Sequence, residues 1–283
     1  MLKIVTDSTA YLSKKEIDKL NITIVPLNVQ LENDNFEEGT DSNNVFYQKL
    51  RASSKLFPTT SQPSIGKFVE IYKAIANEDD DIISIHLSGG ISGTVKSAQG
   101  AALMLPDYKI HVIDSLTAVA GLGFLVKEAA SLVSLGKSKQ EVLDSIHYMR
   151  ENLITLFMVD SLGYLKRGGR IGGAQALLGT LLKVKPILTI KDTITVFQKI
   201  RTKQKALMCM INVLEKTINI HSLVNIKVAI MNVDAKKEAL EFERLINNKF
   251  PDLKIEHCSI GPVIGTHVGP GAIGLAFTPY LPK

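Results

Sequence analysis

Apolar and polar positions along the chain switch repeatedly between the two-residue period of strands and the 3.6-residue period of helices. Residues 3–6 are apolar and β-rich, and Ser13 with Glu16 three positions later forms a capping box for a helix through Leu20. Residues 22–31 read as a strand, Asn33, Asp34 and Asn35 as a polar turn, and residues 41–52 as a short helix. Ser64 stands as N-cap before Ile65, Phe68, Val69, Tyr72 and Ile75 at helical spacing. Residues 82–87 form a nearly uninterrupted apolar run, as expected of a central parallel strand covered on both faces. A helix over 97–105, a strand at 110–113 and helices over 118–135 and 139–152 complete a first unit in βαβ order.

Beyond residue 153 the texture changes. Residues 156–159, then 187–190 and 194–197 across a Lys191-Asp192 turn, predict strands that include a hairpin. A helix from 202 to about 220, a strand at 226–231, a helix over 235–248 and a strand at 253–259 follow. Residues 261–274 read as a glycine-rich return that ends in a short strand at 275–277. The expectation is an α/β chain of two domains. Residues 1–153 form a parallel-sheet domain with ligand loops at the carboxyl ends of its strands, and residues 154–283 a mixed-sheet domain. No low-complexity linker divides them, which predicts a broad interface.

Composition narrows the function classes. A chain of 283 residues, 45% hydrophobic and 22% charged, is long enough for two cores. No apolar run reaches the roughly 18 residues of a membrane span, because the longest candidate, 117–135, is broken by Gly121, Gly123, Lys127 and Glu128. The chain enters a strand at Leu2 with no secretory pattern, so a cytoplasmic location is expected. Cys209 and Cys258 read as buried, unpaired thiols, and the histidines show no metal-ligand spacing, so neither a metal nor a cofactor is expected. A net charge of +5 is spread over scattered lysines. Aromatic content of 6% without tryptophan offers no stacking platform, and no helix-turn-helix stands out, so no nucleic-acid partner is expected.

The chemistry-bearing stretch is Asp81-Ile-Ile-Ser-Ile-His-Leu-Ser-Gly-Gly-Ile-Ser-Gly-Thr94, a strand, a glycine-and-hydroxyl loop and a helix start. Such a junction gathers backbone N–H groups and the positive helix end, and so suits an anion. It holds no Lys or Arg, which favours a carboxylate over a triphosphate. Ser92 reads both as a cap and as an anion ligand. Thr60 lies in a loop stiffened by Pro58 and Pro63, too early to cap the next helix. Leu165-Lys-Arg-Gly-Gly-Arg170 is either a solvated helix end or an anion clamp built on Arg170, and Arg201 marks a charged strand-to-helix edge that could meet a partner. His267 sits among glycines that permit close backbone approach and reads as structural or functional. A different reading makes the Ser88–Thr94 loop the phosphate cradle of a phosphotransferase or hydrolase, with Asp7 and Asp114 as candidate metal carboxylates. The absence of a Walker lysine counts against it.

Five motifs in order, Val5-Thr-Asp-Ser-Thr-Ala-Tyr11, Thr60-Ser-Gln-Pro63, Ser84 to Thr94, Leu165 to Arg170 and Ile264-Gly-Thr-His-Val-Gly-Pro-Gly-Ala-Ile-Gly274, resemble the DegV family over essentially the whole chain. The resemblance implies a two-domain, non-enzymatic carrier. It would bury a long-chain fatty acid such as palmitate or oleate between its domains and present the carboxylate to a separate fatty acid kinase. The acyl phosphate would then pass to an acyltransferase of phospholipid synthesis, with transient membrane contact. By motif, Thr60, Ser92 and His267 would hold the carboxylate, while Arg170 and Arg201 would face the kinase. One departure is Gly90, where many members carry serine.

Overall fold

The computed structural model describes residues 1–32, 34–39, 43–52, 57–77, 79–178 and 185–281. Strand β1 (Leu2–Asp7) leads through a 3-10 turn at Ser8–Ala10 to helix α1 (Lys14–Leu20) and strand β2 (Ile22–Val25). The capping box forms: the Glu16 N–H donates to Ser13 Oγ at 3.3 Å and the Ser13 N–H to Glu16 Oε2 at 2.9 Å. The strand expected over 22–31 is two strands in different sheets, β2 and β3 (Asn28–Leu31). Pro26 lies between them and has no N–H to continue the first ladder. Strand β3 pairs antiparallel with β4 (Asp34–Glu37) and with β5 (Thr59–Ser61), which sets Thr60 opposite Val29. Helix α2 (Asn43–Ala52) precedes β5; Asn33 of the expected turn and residues 41–42 of the expected helix lie outside the described residues.

Helix α3 (Ile65–Ile75), capped by Ser64, leads to strand β6 (Asp81–His86), helix α4 (Thr94–Leu103), strand β7 (Lys109–Asp114), and helices α5 (Ala120–Ser134) and α6 (Lys139–Asn152). The parallel sheet has the order β2-β1-β6-β7. Chain connections leave β1 and β6 toward opposite edges, so the switch point, where open α/β sheets bind ligands, falls between their carboxyl ends. The later chain adds β8 (Ile154–Met158), α7 (Leu162–Arg167), a 3-10 segment Gly172–Leu177, the hairpin β9 (Lys185–Lys191) and β10 (Thr193–Ile200), α8 (Lys203–His221), β11 (Ile226–Asn232), α9 (Lys236–Asn247), β12 (Ile255–Ser259), α10 (Pro262–Val268) and β13 (Ile273–Pro279). These strands form a separate six-stranded mixed sheet in the order β10-β9-β8-β13-β11-β12. Helix α10 corrects the reading of residues 261–274 as an irregular return: Pro262 opens it, where a missing N–H costs nothing, and Gly269 closes it with φ of +79°.

The elements stack in five layers. Helices α3 and α4 cover one face of the parallel sheet through Phe68, Tyr72, Ala98 and Ala101. Helices α5 and α6 lie between the two sheets, and α8 and α9 cover the outer face of the mixed sheet through Leu207, Met210, Leu214 and Phe242. Helix α5 is buried almost all round, as a helix between two sheets must be. One apolar cluster runs from Ile4 and Ile83 of the first sheet through Leu122 and Met149 to Met231 and Ala276 of the second.

Candidate functional site

A cavity of about 290 Å³ lies between the two sheets, beside the switch point of the parallel one. Leu27, Leu87, Ile91 and Val119 from the first half face Phe157, Ile190, Ile194 and Met231 from the second across it, and α10 closes a side with Val263, Ile264 and Val268. Such walls offer no partner to a charged or hydrogen-bonding group. Polar side chains gather from Thr60, Ser61, Gln62, Ser92, Arg170 and His267.

Four of the five residues singled out in the sequence line this cavity: Thr60, Ser92, Arg170 and His267. Thr60 Oγ1 and His267 Nε2 are 2.8 Å apart, joining β5 to the last turn of α10 across 207 positions of sequence. Burial, assisted by the positive field of Arg170, holds the His267 imidazole down to about 4, so the ring is neutral near pH 7. Its Nδ1 is buried without a hydrogen-bond partner and packs on Gly168. Arg170 donates from Nε to the Ile91 carbonyl at 3.1 Å and from Nη1 to the Gly168 carbonyl at 2.7 Å, which ties the basic turn to the glycine loop. Arg201 is exposed and lines none of the cavities described.

Ser92 is not the formal N-cap of α4. Gly93 occupies that position and no side chain caps it, while Ser92 Oγ accepts from the Thr94 N–H at 3.3 Å and lies 2.9 Å from Thr94 Oγ1. The rest of the loop is spent on its own structure. The Gly89 N–H donates to Asp114 Oδ2, the Gly90 N–H to Ser88 Oγ, and the Ile91 and Ser92 N–H groups to the Ser88 carbonyl. Ser88 itself donates to the Asp192 carbonyl at 2.6 Å, docking the loop on the β9–β10 turn. A cradle of free N–H groups for phosphate is therefore not formed at Ser88–Ser92. Gly90 fits against that turn, where a Cβ would stand 2.6 Å from the Asp192 carbonyl oxygen.

Asp7 is fully buried and accepts from the Thr9 N–H, the Leu87 N–H and the Thr9 hydroxyl, with His86 Nδ1 3.0 Å away. Asp114 accepts from the Gly89 and Leu116 N–H groups. Among the described residues no cluster of three or more His, Cys, Asp or Glu side chains could hold a metal ion, and no helix is long and apolar enough to cross a membrane. Both cysteines are free; Cys258 is buried, whereas Cys209 is partly exposed and donates to Gln198 Oε1 at 2.9 Å.

Comparison with known proteins identifies the family. The DegV family model, described as "Uncharacterised protein, DegV family", matches residues 1–280. The chain belongs to the DegV family. Protein DegV of Bacillus subtilis (strain 168) is 36% identical over 279 residues, covering 98% of each chain. The crystal structure of DegV, a fatty acid binding protein from Bacillus subtilis, superposes with a TM-score of 0.90 at 35% identity, over 98% of this chain and 99% of that one. A fatty-acid-binding DegV family protein from Thermus thermophilus superposes with a TM-score of 0.89 at 33% identity, again over 98% and 99%.

Two groups in or behind this cavity are absent from the sequence-based expectations. Gln62 lines the cavity beside Thr60 and donates from Nε2 to Ser97 Oγ at 3.0 Å; its place in the Thr60-Ser-Gln-Pro63 motif was the available signal. Glu38 is buried behind α10 and accepts from the Val263 N–H at 2.8 Å, the Ser8 hydroxyl at 2.9 Å and the Tyr11 hydroxyl at 2.9 Å. It fixes the start of the helix that carries His267. Burial pushes its carboxyl up to about 7.

Proposed function

We propose that the protein binds one long-chain fatty acid in the inter-sheet cavity, with the tail among the aliphatic walls and the carboxylate at Thr60, Ser92 and His267. The observation that carries this reading is the polarity of the cavity: apolar over most of its surface, with a hydroxyl–imidazole pair 2.8 Å apart at a polar end. Each buried methylene contributes about 0.8 kcal/mol, so the tail dominates affinity and the head group fixes orientation. A neutral His267 suits a carboxylate ligand, since it offers a hydrogen bond without requiring a buried ion pair. The fatty-acid-binding relatives support the same ligand class.

The carrier presents this carboxylate to a separate kinase in the cytoplasm, and the acyl phosphate goes on to an acyltransferase of phospholipid synthesis. Arg170, at the rim of the polar end, and the exposed Arg201 face the kinase. Organic extraction of the purified protein followed by mass spectrometry should yield stoichiometric long-chain fatty acid. An empty protein that also fails to bind added palmitate or oleate refutes the reading. Thr60→Ala or Ser92→Ala should weaken fatty acid binding by roughly tenfold, the scale of one hydrogen bond to a charged group. Arg201→Ala should leave binding unchanged and slow phosphorylation by the kinase.

A further inference from the structure

Outside the Thr60–His267 pair lies a second pocket of about 210 Å³, lined by Phe57, Tyr164, Arg167 and Thr266 together with Thr60, Arg170 and His267 of the inner cavity. The three shared residues form the partition between the two spaces. We infer that this outer pocket is an oxyanion subsite that receives the phosphoryl group of a long-chain acyl phosphate, with Arg167 as its cation. The inference rests on the fatty acid reading given above, and three observations carry it.

The first is position. A group bonded to a carboxylate held at Thr60 and His267 must project to one side of the partition, and the inner side is mostly apolar and offers no cation besides the shared Arg170. The second is Arg167. Its guanidinium lies 3.6 Å from the centre of the Phe57 ring and 5.3 Å from that of Tyr164, and no carboxylate pairs with it among the described residues. Stacking on aromatic faces holds a guanidinium in place while its edge keeps the planar fork of donors that suits phosphoryl oxygens. The third is Thr266, 5% exposed, whose hydroxyl has no hydrogen-bond partner and which lines this pocket. A buried donor left unmade is costly, and a bound oxyanion would satisfy it.

The charge balance agrees. In the transfer a carboxylate oxygen forms a bond to the γ-phosphorus of ATP, the bond from that phosphorus to the β-phosphate oxygen breaks, and ADP leaves with the electron pair. No proton moves. The bound ligand gains about one unit of negative charge, and the neutral His267 supplies none of the compensation. Arg167 does.

The test is to titrate the protein with palmitate and with a hydrolysis-resistant acyl phosphonate of the same chain length. Arg167→Ala should weaken the phosphonate by about tenfold or more while changing palmitate affinity less than about twofold. Arg167→Lys should recover part of the loss, keeping the charge without the fork. Arg167→Met keeps an apolar stem of similar length without the guanidinium and guards against a folding defect in the alanine variant; it should behave as alanine does. Equal losses for both ligands, or no loss for either, overturn the subsite. A wild-type protein that binds neither ligand refutes the fatty acid reading itself, a different outcome.

Discussion

His267 and Glu38 are pushed in opposite directions by the same cause. Burial holds the imidazole down to about 4, from an ordinary 6.5, and drives the carboxyl up to about 7, from an ordinary 4.5. Below pH 6.5 an unfolded chain takes up a proton at His267 that the folded chain refuses, so this group removes stability as pH falls toward 4. Below pH 7 the folded chain takes up a proton at Glu38 that the unfolded chain refuses, so this group adds stability as pH falls toward 4.5. Each effect is about 1.4 kcal/mol per pH unit, and between about pH 4.5 and 6.5 they cancel. The ligand-free protein should therefore show no net contribution from the pair across that window in denaturant titrations. Glu38→Gln should expose the histidine, with stability falling by on the order of 3 kcal/mol from pH 6.5 to 4.5 relative to wild type. His267→Gln should expose the opposite slope. Wild-type-like profiles for both variants would refute the assignment. Thr60, Ser92, Arg170 and His267 were legible in sequence because each sits in a compact motif. Glu38 was not, since it falls between the polar turn at Asn33, Asp34 and Asn35 and the helix expected over 41–52, where no helix or strand period marks it. One of its partners, the Val263 N–H, lies 225 positions away.

At the scale of elements, the sequence pattern found β1, β6 and β7 of the parallel sheet, both capping-box helices and the β9–β10 hairpin, because each is decided by local periodicity and turn chemistry. It missed α10, a helix of seven residues whose propensity Gly265 lowers from within and whose flanking Gly261 and Gly269 read as loop. Tertiary packing overrides that preference. The Tyr47 hydroxyl reaches the Ile260 and Gly261 carbonyls at 3.0 and 2.9 Å, and it lies where a Cβ on Gly265 would stand. Gly265 is thus a requirement of the contact between α2 and α10. Gly265→Ala should cost about 1–3 kcal/mol through overpacking, and Tyr47→Phe about 1–2 kcal/mol through the lost hydrogen bonds. Removing the hydroxyl also removes the nearest clash, so the double variant should cost less than the sum. Thermal or denaturant unfolding of the four proteins measures the coupling, and strictly additive losses would show that the two residues do not meet as described.

On the scale of the whole molecule, α5 decides how independent the halves can be. A helix buried almost all round needs cover on almost every side, and here the parallel sheet supplies one face and the mixed sheet the other. Lys127 on its surface is only 15% exposed and pairs with Glu16 of α1 and Glu256 of β12, one carboxylate from each half. The inter-sheet cavity lies in the same seam, walled by Val119 just before α5 and by Met231 of β11. A break in this seam would expose apolar surface on both sides at once, so the chain should unfold in one calorimetric transition. Residues 1–153 expressed alone should lack a cooperative melt and bind a hydrophobic dye, because the outer face of α5 and the β13 side of α6 would be uncovered. A ligand in the seam stabilises the seam: palmitate at 100 times its dissociation constant should add about 2.7 kcal/mol and raise the single transition without splitting it. Two resolved transitions, or a ligand that shifts only one of them, would show instead that the halves fold separately and that the cavity wall belongs to one of them.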